Sequence, residues 1–392
     1  MLHRDRPGAS VAFPALDSLR AVAAVAVLAT HAAFWAGAYA HPVYGTALSR
    51  LDVGVAVFFV LSGFLLSRPW IARHRAGLPP PSTTHYLWKR ALRLVPVYVV
   101  TVVAALTLLP GNRGAGVGQW LTTLLLANIY VDDSLPDGLT QMWSLSTEVA
   151  FYLVLPVLMG LALSRTRGRR GDRIGLLALA MTATSVVWLM DLSVRWDGGG
   201  TMIRLWLPSY LVWFAVGILL ASYDVRSRED RNAATPLAGP PDLTPTTLGA
   251  ALTKNVLYAG IAGFVILPGI FAPPESRLVR VLTTPALRHV GQLSYGIFCV
   301  HLLLLELIAE WRDMPLFGGR GLELFVLTLA ASLVVSELLH RVVERPALRL
   351  RDVWPLRSRS TATSAPSETA TSSWGSTSAP AHPSDEPSGR HQ

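Results

Sequence analysis

Charge is scarce in this chain. Only 15% of its 392 residues are Asp, Glu, Lys or Arg, and 51% are hydrophobic. Soluble domains carry about 25% charged residues, so an ordinary water-soluble globular protein is excluded. Cysteine is nearly absent: Cys299 stands alone, which rules out a disulfide framework and a cysteine-held metal cluster. Lysine occurs only at positions 89 and 254, so arginine carries the net charge of +9. With the many Ala and Gly residues, this points to a GC-rich genome and an actinobacterial source. No Walker-type loop, GxGxxG, HExxH or GxSxG occurs. No basic-aromatic pattern marks an RNA or DNA module, so no nucleic-acid partner is expected. The positive charge suits cytoplasmic loops beside anionic lipid headgroups.

What the chain does have is long apolar runs, several of 18 residues or more, which read as membrane-spanning helices. The fold class is therefore an all-α polytopic integral membrane protein, in a bacterial plasma membrane, with about 9–10 spans. Residues 1–13 form a basic cytoplasmic arm, 14–346 the membrane domain, and 347–392 a basic then Ser/Thr/Pro-rich disordered tail. Spans fall at about 14–35, 53–70, 92–110, 143–163, 174–190, 204–222, 255–272, 289–309 and 322–343. The first is expected to remain as an anchor, because its apolar stretch is too long for an ordinary signal peptide. Residues 119–130 are short for a bilayer and read as re-entrant. That choice keeps RTRGRR at 165–170 in the cytoplasm with the basic, Pro-rich loop 68–93. The polar stretch 223–254 reads as a long cytoplasmic loop. Nine alternating spans would nevertheless put the basic flank 341–359 outside, which conflicts with its charge.

Two residues in the first span do not belong in hydrocarbon, Arg20 and His31. Their spacing brings a helix back to within roughly 20° of one face, with a rise of roughly 16 Å. Ionisable groups at this depth line an interior cavity by default. The plainer reading is that His31 simply packs through a hydrogen bond to a neighbouring helix.

Further motifs follow. Arg90 and Arg93 lie on one helix face where the cytoplasmic loop enters the third span, and two guanidiniums there suit a polyanionic co-substrate. They could equally anchor the helix to headgroups. WSLSTE at 143–148 places Glu148 just inside an apolar helix, where it should pair with a cation or sit at the helix dipole. Trp143 reads as an interfacial belt residue. Ser62-Gly63, mid-span in FFVLSGFLL, reads as a close helix contact. Asp52 begins that helix and can face a cation. Tyr295 and His301 sit on the 289–309 span, with Glu306 deeper. Glu344-Arg345-Pro346 reads as a helix stop. His31, Glu148 and His301 have no metal-ligand spacing, so no metal is expected.

Together these motifs resemble the acyltransferase-3 family of integral membrane O-acyltransferases. The matching pieces, in order, are Arg20-x10-His31, FFVLSGFLL at 58–66, Arg90-xx-Arg93, WSLSTE with FYLVLP at 151–156, LSYGIFCVH at 293–301 and Glu344-x-Pro346. They cover about 14–346. Ala56 stands where the family often has an acid, with Asp52 one helical turn earlier, and Val149 stands where a second acid often follows the glutamate.

The resemblance implies transfer of an acyl group, most often acetyl, from cytoplasmic acyl-CoA to a hydroxyl of an envelope carbohydrate or glycolipid. It implies His31, Arg20 and Glu148 as catalytic residues and Arg90 and Arg93 as the CoA-phosphate site. Tyr295, His301 and Asp52 are the candidate substrate contacts. His31 would take the hydroxyl proton, or accept the acyl group itself. Arg20 would steer the pantetheine or stabilise the oxyanion, and Glu148 would orient the acceptor or tune a histidine. The competing reading is a transporter or flippase of a lipid-linked saccharide, its pathway lined by the same charges. No matched pair of broken helices supports that.

Overall fold

A computed structural model describes residues 13–131, 134–164, 173–192, 195, 202–229, 248–273 and 275–352. The expected basic arm up to residue 12, the 165–170 cluster and the tail beyond 352 lie outside the described residues. The helices are α1 Pro14–Trp35, α2 Gly45–Ser49, α3 Val53–Arg75, α4 Thr83–Leu108, α5 Val117–Leu124, α6 Asn128–Val131 and α7 Met142–Ala162. After these come α8 Ile174–Val187, α9 Leu207–Glu229, α10 Leu248–Phe271, α11 Arg277–Leu282, α12 Pro285–Trp311, α13 Gly321–Leu339 and α14 Arg345–Arg349. No strand occurs among the described residues.

Eight helical stretches are long and apolar enough to cross a membrane, and Ile174–Met190 is a shorter apolar helix. The protein is an all-α multi-pass membrane protein. Within 119–130, expected to be re-entrant, the eight-residue α5 rises only about 12 Å. The chain then breaks at Leu126, whose φ is 57°, before the four-residue α6.

Backbone contact through small residues brings the helices together. A Cβ on Gly63 would lie 2.4 Å from the Phe214 carbonyl oxygen, and one on Gly217 would lie 2.2 Å from that of Val60. Thus α3 and α9 cross backbone to backbone. Helix α1 is held the same way, by Gly54 of α3 against the Ala23 carbonyl and Gly291 of α12 against that of Asp17. Prolines 69, 96, 156 and 268 lie inside helices. Neighbouring helices make this tolerable in a membrane bundle.

Helix direction resolves the conflict over the basic flank. Trp213 Nε1 donates to the Asn255 carbonyl at 2.7 Å, and Tyr223 packs on Phe271 with ring centroids 5.2 Å apart. Helices α9 and α10 therefore run parallel, and the chain enters α10 at the end opposite to where it left α9. Counting alternate crossings misplaces everything after that point. The final helix ends beside the start of α4, where Trp88 Nε1 donates to the Leu350 carbonyl at 3.1 Å. That is the end of the bundle expected to be cytoplasmic.

The expected loop 223–254 is shorter than its polarity implied. Helix α9 runs to Glu229 and α10 starts at Leu248. The charges that suggested a loop are paired: Asp224 with Arg68 at 2.7 Å and Lys254 with Asp52 at 2.7 Å. Residues 230–247 lie outside the described residues.

Candidate active site

Two histidines meet where α1 packs on α12. His31 Nδ1 lies 3.1 Å from His301 Nε2, and His301 Nδ1 lies 2.8 Å and 3.1 Å from the carbonyls of Phe298 and Ile297. A carbonyl only accepts, so His301 Nδ1 carries the proton and its Nε2 offers a lone pair. His31 Nδ1–H then donates to that lone pair. The arrangement leaves His31 Nε2 unprotonated, the form a general base needs. His301 is fully buried. It touches His31 and is not among the residues that line the chamber that His31 faces. The helix registers that set this geometry are those locked by Gly291 and Gly54.

His31 faces a chamber of about 460 Å³. Its lining mixes hydroxyls (Thr30, Tyr39, Ser49), the Trp143 indole and the charges of Asp52 and Lys254. Asp52 accepts from Lys254 Nζ at 2.7 Å and from the Tyr258 hydroxyl at 2.6 Å. Trp143, expected at the interface, instead lines this chamber and packs against Tyr210, the ring centroids 5.1 Å apart.

The arginines lie in a second, tighter cavity. Arg20, Arg90 and Arg93 line about 60 Å³ together with Glu148, Ser62, Tyr152 and Tyr295. Glu148 accepts from the Ser62 and Tyr152 hydroxyls, the latter at 2.7 Å. Ser62 is thus more than a small residue at a helix crossing. Tyr295 donates to the Leu94 carbonyl at 2.8 Å, so its proton is committed to backbone while its ring lines the cavity. The Nε atoms of Arg20 and Arg90 are buried without a hydrogen-bond partner. Val55, Ser144 and Phe298 line both spaces. They form the wall through which the two abut.

The structure therefore divides the expected site. Arg20, Arg90, Arg93, Glu148 and Tyr295 share one cavity, and His31 and Asp52 share the other. Along α1 the Cα atoms of Arg20 and His31 lie roughly 16 Å apart. Glu148 is placed among the arginines.

Glu344 was missed as a site residue. Its carboxylate is buried, 3.4 Å from Arg93 Nη1 and 2.8 Å from His340 Nδ1. It sits in a π-turn, His340–Glu344, a distortion frequent at functional sites. Nor does Pro346 stop the helix, which continues through the π-turn to Arg349. Lys254 and Tyr258 were also missed, for they meet Asp52 only across some two hundred positions of chain. Among the described residues, no group of three His, Cys, Asp or Glu side chains could hold a metal.

Comparison with known proteins finds a family model, Acyltransferase domain, over residues 13–341. Peptidoglycan O-acetyltransferase OatA of Listeria monocytogenes is 26% identical over 365 residues, which is 85% of this chain and 55% of that protein. Acyltransferase MdmB of Streptomyces mycarofaciens is 27% identical, covering 88% of this chain and 94% of its own. Exopolysaccharide production protein ExoZ of Rhizobium meliloti is 26% identical, covering 76% and 89%. The chain thus spans about half the length of the first relative and nearly all of the others. No solved structure matches it.

Proposed function

The chain belongs to the acyltransferase family, and from that premise we propose that this membrane O-acyltransferase moves an acyl group from acyl-CoA to a carbohydrate or glycolipid hydroxyl. One observation carries the reading. A cavity of three arginines abuts a histidine chamber through Val55, Ser144 and Phe298. With roughly 16 Å between Arg20 and His31 along α1, the donor must have its charged end far from its reacting end. Acyl-CoA has that shape, with phosphates at one end and a thioester at the other.

In this reading Arg90 and Arg93 hold phosphate oxygens, with Arg20 deeper along the pantetheine path. Glu344 aligns Arg93. The thioester passes the Val55–Ser144–Phe298 wall toward His31. The chamber receives the acceptor, and its mixture of an aromatic face, hydroxyls and a carboxylate suits a sugar. His31 Nε2 takes the acceptor's hydroxyl proton as that oxygen attacks the thioester carbonyl. The C–S bond breaks, and the departing thiolate recovers the proton from His31. The products are an O-ester and CoA thiol. His301 accepts from His31 Nδ1 throughout and stabilises the imidazolium while it exists. MdmB and OatA, by their names, are an acyltransferase and a peptidoglycan O-acetyltransferase, which supports the reaction class.

The test is binding of labelled acetyl-CoA to protein in nanodiscs, competed by unlabelled CoA. Arg93→Ala should weaken binding by roughly tenfold or more, since a hydrogen bond to a charged group contributes about 1.5–3 kcal/mol. Tight binding that ignores both Arg90→Ala and Arg93→Ala would refute the assignment of the arginine cavity.

A further inference from the structure

The hydroxyls that line the histidine chamber give their protons to backbone. Thr30 donates to the Leu48 carbonyl at 2.8 Å, and Tyr39 to that of Thr30 at 3.0 Å. Ser49 donates to the Thr46 carbonyl at 2.9 Å, and Ser144 to that of Gln141 at 3.1 Å. What these oxygens have left to offer is lone pairs. Asp52 and His31 Nε2 are acceptors as well, so the lining is rich in them.

Gln141 adds one more, and the reaction above does not use it. This buried residue directly precedes α7 and lines the same chamber. Its Nε2 donates to the Cys299 carbonyl at 2.9 Å, with the carbonyls of Phe298 and Gly138 each at 3.4 Å. Carbonyls only accept, so this end of the amide is the nitrogen, and its hydrogens are turned to backbone. The other end, Oε1, is buried without a hydrogen-bond partner among the described residues. An acceptor left unpaired in the interior is costly, and a ligand that brings the missing donor gains by it.

We propose that Gln141 Oε1 accepts a hydrogen bond from a second hydroxyl of the acceptor, vicinal to the one that is acylated, so that the chamber selects polyols over simple alcohols. The proposal rests on the acyl-transfer reading above. The attacking hydroxyl has one proton, and His31 Nε2 takes it, so the donor to Gln141 has to be another group. One stretch of α12 holds both partners. The Phe298 carbonyl accepts from Gln141 Nε2 and from His301 Nδ1, and the His301 ring meets His31. Base and amide oxygen thus belong to one frame, which sets the spacing of the two hydroxyls. Because both amide hydrogens face carbonyls, Gln141 reads the acceptor and is not a donor to the oxyanion.

The experiment uses the full chain in nanodiscs, with Gln141→Met, which has similar length and no amide oxygen. The acceptor is the lipid or glycan fraction that wild-type membranes label from acyl-labelled acetyl-CoA, extracted and titrated. In Gln141→Met, kcat/KM for that acceptor should fall roughly 5- to 150-fold, the rate equivalent of about 1–3 kcal/mol for a buried donor left unpaired. Affinity for CoA, and the rate at which diethyl pyrocarbonate modifies His31, should stay within about twofold. A second measurement needs no variant: cleaving vicinal diols in the acceptor fraction with periodate, then quenching, should abolish its labelling by wild type. Unchanged kcat/KM in Gln141→Met would overturn the proposal. So would an equal fall in the His31 modification rate, since Gln141 would then only support the histidines, and so would undiminished labelling after periodate. Each of these leaves acyl transfer standing, whereas wild type that neither binds CoA nor moves label would remove both.

Discussion

Replacing His301 by alanine should slow transfer without loosening the donor. In the wild-type protein, His31 Nδ1–H donates to His301 Nε2 at 3.1 Å, and the Ile297 and Phe298 carbonyls hold His301 in that tautomer. In the proposed reaction His31 becomes an imidazolium, and this contact becomes a charge-assisted hydrogen bond. Such a bond contributes about 1.5–3 kcal/mol, and each 1.36 kcal/mol is tenfold in rate. His301→Ala should therefore lower kcat roughly 10- to 150-fold. His301 lies behind His31, away from the arginine cavity, so KM for the donor should stay within a factor of about two. The assay follows acyl-labelled acetyl-CoA into the lipid and glycan fractions of membranes carrying either protein. Equal protein content is verified by size-exclusion chromatography. A kcat within threefold of wild type would refute the pairing argument. A raised KM at unchanged kcat would refute it too, since it would make His301 a donor contact.

Two further outcomes test the scaffold. Glu344→Gln removes the carboxylate that aligns Arg93 from 3.4 Å. It should raise KM for acetyl-CoA severalfold with little change in kcat; a fall in kcat alone would contradict the alignment role. Gly63→Leu places side-chain atoms where even a Cβ would lie 2.4 Å from the Phe214 carbonyl. Overpacking of this kind costs about 1–3 kcal/mol or more, so thermal stability in detergent should drop. Unaltered melting would mean that α3 and α9 do not cross where described.

The sequence shows clearly the features that depend on hydropathy and on single costly residues. Apolar runs mark the spans, a run too short to cross marks α5 and α6, and Arg20 and His31 stand out because hydrocarbon penalises them. Pairings between distant helices are another matter. His301 looks the same in sequence whether or not it meets His31, and only the α1–α12 packing brings the two together. Glu344 read as a helix-stop residue because a proline two positions later usually ends a helix. A π-turn, which has no local signature here, turns its carboxylate toward Arg93 instead. Lys254 and Asp224 suggested a loop because their partners, Asp52 just before α3 and Arg68 within it, are far away in the chain. The parallel course of α9 and α10 breaks the alternation that any count of spans assumes.

The central claim is that His31 is the base for acyl transfer, and one comparison tests it most directly. Membranes containing wild-type protein or His31→Ala are incubated with acetyl-CoA carrying label in the acyl group, and the lipid and glycan fractions are counted. General-base catalysis is typically worth about 10²- to 10⁴-fold. The account predicts that wild type labels one fraction and that His31→Ala loses transfer by that order while still binding CoA. Near-normal transfer by His31→Ala would contradict it.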